Sequence, residues 1–108
     1  EERRKSNVDI STMVYGKVPP QATEMEQAIL GAIMLEKNVI ETVIGLISSE
    51  CFYVDAHQRI FKAMLQLHAK SKPIDLLTLV EQLKANEELE MVGGAYVVTK
   101  LTNWVVSS

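Results

Sequence analysis

Cys51, His57 and His68 are the one cysteine and the two histidines of this chain, so soft-metal or thiol chemistry must start from them. A zinc site takes four ligands at short spacings such as Cys-x-x-Cys, or two histidines one helical turn apart. These three residues, six and eleven positions apart, offer neither. A nucleophile needs a base and an orienting group, and no Gly-x-Ser-x-Gly elbow occurs. Phosphate chemistry needs a backbone cradle backed by a lysine, yet none of Gly16, Gly31, Gly45, Gly93 and Gly94 opens a Gly-x-x-x-x-Gly-Lys-Ser/Thr loop. An ATP-driven motor is therefore outside the chemistry of these residues. No catalytic residue, cofactor site or metal site is expected. His57 reads as a packed residue in a first helical turn, Cys51 as a small buried apolar residue beside Phe52, and Glu87, Glu88 and Glu90 as a solvated rim. His68 falls near a helix C-terminus, where the dipole favours an imidazolium.

The elements that must carry these side chains are helical. Pro19 and Pro20 keep the backbone extended, and Thr23 with Glu26 has capping-box spacing, which predicts a helix starting near Thr23. Its apolar stripe is Met25, Ala28, Ile29, Ala32, Ile33 and Leu35, with Gly31 off it. Asn38 and Glu41 repeat the spacing for a second helix to about Ser48, in which Gly45 suggests a close backbone contact. A single turn at 48–50 brings Cys51, Phe52 and Tyr53 to the core. Asp55 and Gln58 are expected to cap the longest helix, from 56 to about 70, with a stripe of Ile60, Phe61, Met64, Leu65, Leu67 and His68. Lys70, Lys72 and Pro73 close it. Asp75 with Thr78 starts the next helix, reaching about Asn86 and burying Leu76, Leu79, Val80 and Leu83. Residues 87–92 read as an irregular connection, and Gly93-Gly94 permits positive φ before a last helix from Ala95 to about Thr102. Tyr96-Val97-Val98 has strand propensity as well.

With 108 residues, 47% hydrophobic and 23% charged, the chain suits one globular domain with one core. No apolar run approaches the ~20 residues that cross a bilayer, and a cytoplasmic location is expected. Of the net charge of −3, residues 1–20 contribute +1 and residues 21–108 contribute −4. An acidic folded part repels phosphate, which argues against direct nucleic-acid binding and against a helix-turn-helix reader. Residues 1–17 lack sustained periodicity and read as a flexible or partner-ordered arm. Without an initiator Met the chain reads as a piece of something longer.

Several words occur in a telling order: Val18-Pro19-Pro20, Glu26-Gln27-x-Ile29-Leu30-Gly31, Cys51-Phe52-Tyr53, His57-Gln58-x-Ile60-Phe61, Pro73-Ile74-Asp75-Leu76-Leu77-Thr78-Leu79, Leu83 and Gly93-Gly94. Over residues 18–108 the chain resembles the N-terminal domain of the DnaB-type hexameric helicases, the replicative DNA helicases of bacteria. The resemblance implies an all-α, compact orthogonal bundle of about five or six short helices, truncated before a helical hairpin, linker and ATPase domain. It turns Tyr96-Val97-Val98 towards helix. It implies structural roles for Pro19, Pro20, Glu26, Leu30, Gly31, Phe52, His57, Ile60, Phe61, Pro73, Asp75, Thr78, Leu83, Gly93 and Gly94.

By the same resemblance, such heads pair and build a collar on a hexamer, and their region receives primase and, in some members, a helicase loader. ATP and magnesium belong to the motor domain of the parent protein. Trp104 and Val105-Val106, beside Tyr96 and Val97, form an apolar cluster large for a small domain's last helix, which either packs into the core or continues into a partner contact; Tyr96, Val97 and Trp104 are the candidate protein-interface residues. The alternative is a stand-alone helical adaptor or dimerisation module.

Overall fold

A proline at the first position of a helix sacrifices no hydrogen bond, because that N–H has no intrahelical partner anyway. Pro20 accordingly opens α1 (Pro20–Leu35), three residues earlier than the capping-box spacing predicts. The computed structural model describes the backbone of residues 20–107 and the side chains of 22–103. The expected arm at 1–17, Pro19, and the side chains of Pro20 and Trp104 lie outside the described residues.

After α1 come α2 (Val39–Ile44), a 3-10 turn (Ser49–Cys51), α3 (Asp55–Ala69), α4 (Leu76–Ala85) and α5 (Ala95–Ser107). The described residues contain no strand, and Tyr96-Val97-Val98 is helical. α1 lies mainly along α5 and also meets α2 and α3, while α3 packs on α4 and the 3-10 turn. Leu30, Ile33, Ile60, Phe61, Met64, Leu67, Leu79, Leu83, Val98 and Leu101 form one core, closed by Ile40, Phe52 and Val92.

Helix phase differs from the sequence-based stripe in α1. The line that faces inward is Glu26, Leu30 and Ile33, at i, i+4 and i+7, with Gly31 buried beside it. Met25 and Leu35, expected inside, are exposed. α2 buries Ile40, whereas Ile44 and Leu46 face outward, and Asn38 makes no side-chain cap. Gly45 ends α2 at φ −78° on the surface, and a Cβ there would stand 3.7 Å from the nearest atom, the Thr42 carbonyl oxygen. No close approach requires it. Cys51 is exposed rather than buried, with its Sγ accepting from the Ser48 N–H at 3.5 Å. Phe52 alone of Cys51-Phe52-Tyr53 enters the core.

Two helix ends share one device. At the end of α3, the Lys72 N–H bonds the Leu67 carbonyl at 2.9 Å and the Ser71 N–H bonds His68 at 3.0 Å. At the end of α4, Glu88 bonds Leu83 at 2.8 Å and Glu87 bonds Lys84 at 2.9 Å. Both are Schellman turns, which place the residue after the cap in the left-handed region. Ser71 and Glu87 occupy those positions at φ +57° and +60°, where glycine is the comfortable residue.

Candidate protein-interaction surface

The residues singled out in the sequence gather in two places. The first is the start of α3. Glu26 is buried at 7% exposure and its carboxylate can only accept, so three donors converge on it. The Tyr53 N–H donates to Oε2 at 2.7 Å, the Val54 N–H to Oε1 at 3.3 Å, and His57 Nδ1–H to Oε1 at 2.7 Å. Val54 is the residue at the cap of α3, and it offers no side-chain acceptor. Glu26 therefore supplies from α1 the negative charge that a helix N-terminus favours. Its Thr-x-x-Glu spacing is not used as a local box.

Asp55, expected as the cap, is instead the first residue of α3 and accepts from Arg59 Nε at 2.7 Å. Gln58 donates to the Phe52 carbonyl at 2.7 Å. The Phe52 ring lies 5.2 Å from Phe61 and meets His57 edge-on, which seats the aromatic group against the helix that Glu26 caps. Arg59 also donates to Glu88 at 2.7 Å, and these bonds, to Asp55 first and then Glu88, hold its guanidinium above the usual arginine value. Glu88 thus pins the 87–92 connection rather than standing as a solvated rim.

The second gathering is the start of α4 and α5. Asp75 Oδ1 accepts the Thr78 N–H at 2.9 Å, and Thr78 Oγ1 accepts the Asp75 N–H at 3.0 Å, a complete capping box. Thr78 also donates to the Pro73 carbonyl at 2.8 Å, tying the loop to the helix it starts. With the first turn set in this way, Leu79 and Leu83 point inward, so Leu77, two positions from Leu79, points away from the core. Leu77 is 67% exposed and Leu76 is exposed too, against the expectation that Leu76 is buried. The opposite wall starts at Gly93 and Gly94, with φ +106° and +86°. A Cβ on Gly93 would lie 2.5 Å from Val97 Cγ2.

Between the walls runs an open apolar groove of about 500 Å³, lined by Asp75, Leu76, Leu77, Val80, Ala95 and Thr99. Tyr96 is 70% exposed beside it, with Lys100 Nζ 5.2 Å from its ring centre. Val97 is half-buried. Sequence reasoning placed Tyr96 and Val97 at a surface but missed Leu77, whose exposure is visible once the phase is counted from the Asp75 cap. A second hollow, of about 800 Å³, lies where the ends of α1 and α3 meet, and its lining includes Ile33, Ile40, His68, Lys72 and Ile74. Among the described residues, no three His, Cys, Asp or Glu side chains converge on a metal-sized point. No helix among them is long and apolar enough to cross a membrane.

A scan against family models matches residues 18–108 to the DnaB-like helicase N terminal domain. The chain belongs to that family. Among curated relatives, a replicative DNA helicase DnaB of Rhodothermus marinus is 42% identical over 106 residues, covering 98% of this chain and 11% of that protein. One from Treponema pallidum is 41% identical over 93 residues, covering 86% of this chain and 21% of that protein. The chain thus spans a minor part of the helicases it matches. Among solved structures, the N-terminal domain of DnaB helicase from Mycobacterium tuberculosis superposes with a TM-score of 0.76 at 33% identity, covering 82% of this chain and 61% of that one. The all-helical fold of the described residues of this DnaB-like domain agrees with that structure.

Proposed function

We propose that this domain is the collar element of a replicative DNA helicase acting in cytoplasmic DNA replication. Its heads associate with one another and offer a landing surface to primase and, in some settings, a helicase loader. ATP and magnesium are used by a motor domain outside these residues, which have no phosphate loop of their own. The match over residues 18–108 to the DnaB-like helicase N terminal domain carries this reading.

Physical support comes from the surface. The domain already has a closed core, yet it leaves Leu76, Leu77 and Tyr96 on solvent around one groove. Apolar groups clustered in that way mark contact surfaces rather than unfinished packing. A folded part with charge −4 supports protein partners over nucleic acid. Light scattering across a concentration series is the test: mass should rise above that of one chain, and a single-chain mass at every concentration would overturn the self-association. A fluorescent-DNA titration at low salt should show no binding.

A further inference from the structure

We propose that the hollow where the ends of α1 and α3 meet receives the 87–91 connection of a second copy of this chain, with its lysines on that copy's glutamates. The proposal rests on the collar reading, in which heads associate, and adds two surfaces that the α4–α5 groove does not include.

The hollow, of about 800 Å³, has an apolar floor of Ile33, Ile40 and Ile74 and a rim that bears Lys37, Lys72 and Glu41. Lys37 and Lys72 are exposed and pair with no carboxylate among the described residues, Glu41 included. The stretches that build the hollow, 33–41 and 68–74, carry Lys37, Lys70 and Lys72 against Glu36 and Glu41, a net +1 with His68 counted as neutral. The folded part as a whole carries −4, so this corner stands out by sign. An apolar floor beneath unpaired cations fits a segment that is apolar and acidic at once.

Glu87-Glu88-Leu89-Glu90-Met91 is such a segment. Glu88 is engaged by Arg59, while Glu87 and Glu90 are exposed and unpaired among the described residues. Even with Lys84 counted, residues 84–91 carry −2. Met91 is 57% exposed, and its unbranched thioether suits an irregular apolar hollow. The backbone is already fixed, with the Val92 N–H on the Glu88 carbonyl at 3.1 Å and the Gly94 N–H on Leu89 at 2.9 Å. Docking therefore costs little further ordering.

One copy cannot satisfy itself. The pair of Glu88 with Arg59 holds the connection beside the start of α3, whereas the hollow lies past His68 at the other end. Nine residues of helix at ~1.5 Å each separate the two by ~13 Å. A second copy supplies the same segment without that constraint.

Light scattering across a concentration series decides the matter, on the unaltered chain, on Lys37→Glu with Lys72→Glu, and on Glu87→Lys with Glu90→Lys. Each reversed pair sets like charges face to face and should raise the concentration needed for association at least ~tenfold. The urea midpoint should stay where it is, because all four side chains are exposed. An equimolar mixture of the two variants should regain the association of the unaltered chain, since every hollow then meets a connection of opposite sign. Undiminished association of either variant alone, or a mixture that stays dissociated, overturns the proposal. In that event the collar reading stands, because the unaltered chain still associates. A single-chain mass for the unaltered chain at every concentration overturns both.

Discussion

Two helix starts in this small domain are capped in opposite ways. α4 is capped from within by Asp75 and Thr78, three residues apart. α3 is capped from outside by Glu26, which stands on another helix. Around the first, apolar side chains stay on the surface; around the second, charge, imidazole and aromatic rings are buried together. A local cap leaves a helix free to turn its outer face to a partner, whereas a remote cap consumes that face in holding the domain together. The α3 start is where stability is concentrated, and the α4–α5 face is where binding can be changed cheaply.

Substitutions separate the two. Glu26→Ala leaves the buried His57 and the part-buried Tyr53 and Val54 N–H groups without their acceptor; a buried donor left unsatisfied costs about 1–3 kcal/mol, and urea unfolding should show a drop at the upper end of that range. Gly93→Ala meets both positive φ and the stiff Val97, and such strain costs ~1–3 kcal/mol, to be read from the same curves. If it proves neutral, the turn is looser than described. Ser71→Gly relieves a left-handed serine and should raise stability by ~0.4–1 kcal/mol. Leu77→Ser should shift stability by no more than ~0.5 kcal/mol, as exposed sites do, while lowering the mass seen by light scattering. A large stability loss there would erase the distinction between the two regions.

How legible each region was follows from the same contrast. Asp75 with Thr78 could be read from spacing because donor and acceptor are neighbours in sequence. Gly93-Gly94 was legible for a similar reason: positive φ is a property of the local backbone. Glu26 was named, through the family resemblance, as a structural residue, but its local spacing pointed to the wrong partner. Nothing within a few residues of Glu26 announces Tyr53, Val54 or His57. The phase of α1 went astray with it, since a carboxylate on the inner line hid the inward direction from an apolar count. Gly45 shows the reverse error, a glycine with no close neighbour to explain it. Leu77 falls outside the buried face expected for α4, as its phase relative to Leu79 requires, but an exposed leucine alone is ordinary and nothing in the spacing marks it as a binding residue.

The bond from His57 to Glu26 spans 31 positions of chain, and those from Tyr53 and Val54 span 27 and 28. That separation has a consequence for the order of events during folding. Long-range contacts pay loop-closure entropy before they repay it, so they form late. The α4 cap can form as soon as its own turn does. The first turn of α3 must wait for α1 to arrive, so lesions at Glu26 should act chiefly by speeding unfolding, and lesions at Asp75 by slowing folding.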